Sequence, residues 1–166
     1  MTTAATQVVK DLKEKSILVS REFNAPVELV WKAFTESDIL DQWWAPEPWR
    51  AETKSQDFSV GGHWLYAMVG PEGEKHWGRM NYLSIETFKN FHLEDGFCDE
   101  NGIINPELPV SRGSNVFTET ASGTKVEFKM TYSTEEQLRQ IVEMGFEQGI
   151  TACLEQLNQL LVNAKI

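Results

Sequence analysis

The sequence predicts an α+β fold in which an antiparallel sheet packs against helices grouped on one side. Three observations carry this expectation. A strand followed by two short helices stands near the start, short aromatic-rich strands punctuated by turns fill the middle, and a long amphipathic segment closes the chain.

Residues 1–15 are small and polar with little periodicity, and read as a flexible N-terminal arm or an extra edge element, leaving 16–163 as a single domain. Ile17–Phe23 reads as a strand, ended by Asn24-Ala25-Pro26, with the proline well placed at the first turn of a helix. Val27, Val30, Trp31 and Phe34 then fall on one helical face. Thr35, with Asp38 three residues on, resembles a capping box for a second short helix that runs to about Trp43 and stops before Pro46 and Pro48. Gly61-Gly62 launches His63–Val69, apolar on both faces and therefore predicted to be central. Gly70-Pro71-Glu72-Gly73 is a hairpin turn from which His76–Ile85 returns. Phe88–Asp95, Ser114–Thr120 and Lys125–Tyr132 follow, with a loop over 96–109 long enough to be expected flexible. In the last strand Val126, Phe128, Met130 and Tyr132 alternate with Glu127, Lys129 and Thr131, the pattern of a half-buried antiparallel strand. Thr134–Leu161 reads as one long helix with an apolar stripe, interrupted by Gly145 and Gly149 one turn apart. Each helical glycine costs about 1 kcal/mol relative to alanine, so the pair needs a reason, either close approach to the sheet or space left for a ligand.

A chain of 166 residues fits one domain with a sizeable core. Its formal charge of -10, from 25 acidic and 15 basic side chains, argues against nucleic acid or an anionic membrane surface as partner. Two cysteines, Cys98 and Cys153, make no disulfide framework, and neither a secretory leader nor an apolar run of membrane-spanning length is evident, so a cytoplasmic location is expected.

Several motifs in this order resemble the Activator of Hsp90 ATPase homologue 1-like family, within the START-like or Bet v 1-like helix-grip superfamily. They are Ala25-Pro26-x-x-x-Val30-Trp31-x-Ala33-Phe34-Thr35, Trp43-Trp44-x-Pro46, Gly61-Gly62, Gly70-Pro71-x-Gly73 and Gly145-Phe146-x-x-Gly149. The resemblance runs from about Ser16 to Leu161 and departs at Ile150, where the family usually has an aromatic residue. It implies a curved sheet of about six to seven strands gripping the C-terminal helix, with a cavity between them. It implies no single chemistry, because the superfamily includes carriers, ligand binders and enzymes.

Nothing in the residues commits the chain to catalysis. The histidines His63, His76 and His92 lack metal-ligand spacing, and no CxxC, phosphate loop or Gly-x-Ser-x-Gly elbow is present, so neither a metal nor a cofactor is expected. Acidic neighbours Asp95 and Asp99 should keep the Cys98 thiol protonated. His63, His76, Arg79 and Glu94 are candidate polar groups of a pocket or its rim, and Asp95 lies among them. An inward-pointing member of this set would have a perturbed pKa.

The abundance of large rings is the stronger clue, since apolar pockets are lined by aromatic side chains with a few polar groups. Trp64, Tyr66, Met68, Trp77, Phe117, Phe128, Met130, Phe146 and Ile150 are the candidate lining, with Gly145 and Gly149 supplying volume and the 96–109 loop and short helices giving access. A register error of one residue would exchange half that list. The expected function is non-catalytic binding of a small hydrophobic or amphipathic molecule. A co-chaperone-like interaction module with a protein partner and an enzyme acting on an apolar substrate, such as a cyclase or hydrolase, are the alternatives. A homodimer is compatible with the chain, although no motif requires it.

Overall fold

The computed structural model describes residues 5–163. Eight strands form one antiparallel sheet, in the order β1-β2-β8-β7-β6-β5-β4-β3. In chain order the elements are β1 (Gln7–Asp11), β2 (Ser16–Phe23), α1 (Val27–Thr35), α2 (Ser37–Leu40), β3 (Arg50–Asp57), β4 (His63–Val69), β5 (Lys75–Glu86), β6 (Asn90–Cys98), β7 (Val110–Glu119), β8 (Thr124–Tyr132), α3 (Glu135–Glu143) and α4 (Phe146–Val162). The sheet thus has one strand more than the largest number expected. The addition is β1, which pairs with β2 inside the stretch read as an arm or edge element; residues 1–4 of that stretch lie outside the described residues.

Pro26 stands just before α1, whose buried face carries Val27, Val30, Trp31 and Phe34. Trp31 meets the rings of Phe58, Phe91 and Phe117 edge-on, the geometry that sets the positive edge of one ring against the negative face of another. Thr35 does not cap the second helix. It is the last residue of α1, and its hydroxyl donates to Trp31 O at 2.8 Å. The start of α2 is instead held from β3, where Gln56 Oε1 accepts from Ser37 N at 2.9 Å.

The C-terminal segment is two helices rather than one. Thr134 caps α3 by accepting from Gln137 N at 3.1 Å, and α3 ends before Gly145, whose φ of 88° is left-handed. A helix cannot continue through that conformation, and glycine adopts it without the steric penalty a Cβ would bring. Gly145 is therefore a hinge residue between helices. Beyond it, Ile150, Cys153, Leu154, Leu157 and Asn158 form the buried face of α4. Among the strands α4 runs closest to β2, and α3 to β8.

Two contacts fix the flanks of α4. Arg21 of β2 reaches Glu155 at 3.0 Å. Gln156 donates to Trp43 O and Ala45 O and accepts from Glu47 N, clasping the segment after α2. The 99–109 connection is tied down as well. Asp99 Oδ1 accepts from Asn101 N and Ile103 N, Asn105 N donates to Phe97 O, and Cys98 bridges Ile104.

Candidate ligand site

Directly opposed residues of an antiparallel pair face the same side of the sheet, so the register assigns every side chain to the face that meets the helices or to the one turned away. The helix-side face carries Ile17, Val19, Arg21 and Phe23 on β2, and Val126, Phe128, Met130 and Tyr132 on β8. It continues through Ser111, Gly113, Asn115 and Phe117 on β7, Phe91, Leu93, Asp95 and Phe97 on β6, Gly78, Met80 and Tyr82 on β5, and Trp64, Tyr66 and Met68 on β4.

Of the nine lining candidates, Trp64, Tyr66, Met68, Phe117, Phe128 and Met130 lie on this face, and Phe146 and Ile150 lie on α4 packed against the same core. Trp77 does not join them. It opposes Ala67 on the far face, where Lys54 and Lys75 sit 5.6 and 5.7 Å from its ring, a cation–π arrangement in which lysine stems cover an outer tryptophan.

Most of the polar candidates also fall outside. His63 pairs with Ser55 at 2.8 Å on the far face, Arg79 bonds Asn81 Oδ1 and Gly102 O there, and Glu94 faces Arg112 at 3.8 Å. His76 opposes Met68 and so belongs to the helix-side face, but at the sheet end, where it is exposed with its ring 5.4 Å from that of Trp49. The 99–109 loop folds over the far face too, since Gly96 is backed by Ile104 and Lys54 Nζ reaches Glu100 O. That loop does not give access to the helix side.

The inward acid is Asp95, one residue beyond Glu94. It opposes Met80 and Ser111 across the sheet. Among the described residues no hydrogen-bond donor or cation of the chain pairs with its carboxylate. Burial lifts its pKa from 3.8 to about 7, yet the side chain is only half-buried by accessible surface. A group can be deep enough for that shift and still keep surface of its own if it lines a hollow within the fold.

Other groups frame the same region. Burial and the nearby Asp95 raise the Tyr66 and Tyr132 hydroxyls far above the usual phenol range, and burial lifts Tyr82 to about 12, the Gln56 amide at 3.3 Å partly opposing it. Trp43 is fully buried, its indole N–H donating to Ala33 O at 3.0 Å. Its neighbour Trp44 is half-buried and packs edge-on against Trp64 and Tyr66. Trp44 Nε1 approaches the Tyr66 hydroxyl closely enough to hold down part of its rise, but completes no well-formed hydrogen bond and is left buried without a partner.

The two glycines separate in role. A Cβ on Gly149 would meet no atom within 4 Å. Gly149 precedes Gln156 by two helical turns and so shares its flank, which faces the 43–47 segment. Open space therefore lies beside Gly149 on that flank of α4. Gly145 supplies the left-handed turn, and a Cβ there would meet only Gln148 Oε1, at 3.9 Å.

Two clefts mark the surface, and neither lies under α4. One of about 370 Å³ is bounded by 24–28 and 119–123; the other, about 520 Å³, is bounded by Trp31, Glu36, Phe58 and Phe88. Among the described residues no three His, Cys, Asp or Glu side chains gather as a metal site, and no helix is long and apolar enough to cross a membrane.

The model of the family described as Activator of Hsp90 ATPase homolog 1-like protein matches residues 24–162. The crystal structure of protein Ms6760 from Mycobacterium smegmatis is similar, with 33% identity and a TM-score of 0.87 over 94% of this chain and 96% of that one. A solution structure of a protein from Arthrobacter aurescens has 32% identity and a TM-score of 0.88, over 95% and 91%. Protein NE0264 from Nitrosomonas europaea, at 28% identity, superposes with a TM-score of 0.80 over 92% and 97%. No curated protein sequence is close enough to count as a relative. With the helix-side sheet, the paired C-terminal helices and these matches in agreement, the chain belongs to the Activator of Hsp90 ATPase homolog 1-like family.

Proposed function

We propose that the protein holds a small hydrophobic or amphipathic molecule, without transforming it, between the helix-side face of the sheet and α4. The observation that carries this reading is Asp95, an inward carboxylate with accessible surface and no partner among the described residues. A fold that had closed on itself would have filled that space or paired the acid, because an unpaired buried charge is costly. The surroundings agree. Trp44, Met68, Phe97, Met130 and Phe146 are all half-buried although they face or pack on the core, whereas Trp64, Tyr82, Phe91 and Phe117 are sealed. Trp44 of the 43–47 segment and Phe146 of α4 thus keep some surface, although the inner row of α4, Ile150, Cys153, Leu154 and Leu157, is sealed.

Catalysis has little support here. The cysteines are held protonated, Cys98 near 11 and Cys153 near 12, mainly by burial, so neither offers a thiolate nucleophile.

The test is native mass spectrometry of freshly purified protein followed by denaturing extraction, together with titration of N-phenyl-1-naphthylamine, a neutral apolar dye. A retained adduct, or saturable dye fluorescence that the variant Gly149→Leu abolishes while remaining folded, is the expected result. No adduct and no saturable dye binding would overturn the reading.

A protein-docking role is the second reading, favoured by Phe88. It stands exposed at the β5–β6 turn with φ of 64°, beside the cleft of about 520 Å³. Under that reading Phe88→Ser, not Gly149→Leu, removes the activity.

A further inference from the structure

We infer that the ligand carries a basic nitrogen, so that the cavity is a site for a protonated apolar amine seated with its cation on Asp95. This inference rests on the binding reading above and gives it a chemical class.

Three observations lead to it. First, Asp95 lies on the helix-side face of the sheet and keeps surface of its own, and its cross-strand neighbours Met80 and Ser111 bring no positive charge. The buried basic side chain on the same face, Arg21, is already engaged with Glu155 at 3.0 Å and with Thr6. Among the described residues no counter-charge reaches Asp95, which leaves the place open to one carried by a ligand. Second, the walls are ring faces and edges. Trp64 and Tyr66 stack with centroids 4.1 Å apart, and Trp44 closes on both edge-on. Aromatic walls around one carboxylate suit a cation, because ring quadrupoles attract positive charge and the desolvated site strengthens that attraction. They suit an anion poorly. Third, the buried Trp44 Nε1 has no partner, so a second polar group at the same place also awaits one. It asks for an acceptor, such as a hydroxyl or carbonyl oxygen elsewhere on the ligand. The overall charge of -10 favours approach of a cation.

The groups around Asp95 make the linkage simple. Tyr66 on β4, Tyr82 on β5, Tyr132 on β8, Cys98 on its own strand and Cys153 on α4, beside Tyr66, all stay protonated at neutral pH, their pKa values raised chiefly by burial. Only Asp95 among them titrates near neutrality. An ammonium placed against it favours the ionised carboxylate, so binding below pH 7 expels a proton from Asp95 and weakens as pH falls.

The experiment is displacement of N-phenyl-1-naphthylamine by octylamine, 1-octanol and octanoate, which share a chain length and differ in head group. At pH 8 octylamine should displace the dye at a concentration at least tenfold below 1-octanol, with octanoate weakest. At pH 5.5 the gap between amine and alcohol should shrink to about threefold or less. In Asp95→Asn it should close to about twofold, and Asp95→Glu, which keeps the charge, should retain it. Equal displacement by amine and alcohol at pH 8, or a gap that survives in Asp95→Asn, overturns the amine assignment and leaves the binding reading standing. Failure of the dye to bind at all overturns both. If Asp95→Asn does not fold, the pH 5.5 and pH 8 comparison on the unaltered protein decides alone.

Discussion

At Asp95 the ordinary preference of a carboxylate for water is set against its position on the helix side of the sheet. Below about pH 4 the group is protonated in folded and unfolded chains alike and contributes no difference. As pH rises toward 7 the unfolded chain ionises while the folded one keeps its proton, so stability falls through this window, and above 7 the full cost remains. Discounted for the surface the half-buried group keeps, that cost is roughly 2 kcal/mol. Because a good part of that cost is already present at pH 5, where the unfolded carboxylate is ionised, urea unfolding at pH 5 and pH 8 should show the protein losing roughly 1 kcal/mol more stability than Asp95→Asn, whose amide does not ionise; parallel behaviour of the two would refute the buried-acid assignment. The sequence brought this residue into view without selecting it. Glu94 and Asp95 are adjacent acids, and composition offers no means of choosing which of two alternating neighbours points inward. Trp77 misleads for the complementary reason: tryptophan reads as core, yet lysine stems from β3 and β5 can cover a ring on the outer face. Where alternation was clean, as in Val126, Phe128, Met130 and Tyr132, the inward set was legible directly.

The C-terminal element shows the same contrast one level up. Its apolar stripe was readable, but the two glycines within it have unlike causes that spacing cannot separate. Gly145 has a left-handed φ and breaks the helix, whereas Gly149 is helical and faces open space. Their substitutions should therefore diverge in sign. Gly145→Ala should destabilise by about 1–2 kcal/mol through the strained backbone. Gly149→Ala should stabilise by up to about 1 kcal/mol through helix propensity, since no atom stands in the way of the new methyl. Thermal unfolding of the two variants checks this, and a matched loss in both would mean that Gly149 also answers a packing constraint. A gain at Gly149→Ala would imply that the natural residue keeps a less stable helix in exchange for the open space beside it. The element order was otherwise legible because turns such as Gly70–Gly73 and Gly61-Gly62 punctuate it, while β1 was left undecided because its five residues, mostly exposed, carry no period strong enough to fix them.

Across the whole molecule, the single sheet has two edges, and the chain treats them differently. The β3 edge protects itself with exposed Arg50, Glu52, Lys54 and Asp57 and with an irregularity between Thr53 and Ser55, features that discourage pairing with another strand. The β2 edge has no such device. Ser16–Phe23 is largely buried, and its outer row of backbone groups is occupied by β1 through pairs running from Gln7↔Ser20 to Asp11↔Ser16. Val8 packs toward the core, and Lys10 reaches Glu147 of α4 at 2.8 Å; with both side chains well exposed, that ion pair adds under about 1 kcal/mol. β1 is therefore held mainly by strand pairing, and its principal effect is to cover an edge that would otherwise accept a strand from a second molecule. Deleting residues 1–11 should leave a folded domain that self-associates through β2, seen as a concentration-dependent dimer or larger species in size-exclusion chromatography with light scattering, while the full chain shows no association by that edge. Adding Lys at Val19 would bury a charge and confound the result, so the control is Leu18→Lys in the truncated chain, since Leu18 lies on the face turned away from the helices and is half-buried. Association suppressed by that charge locates the contact at β2. A truncated chain that stays monomeric with unchanged thermal stability would show that β1 neither protects the edge nor contributes to the fold.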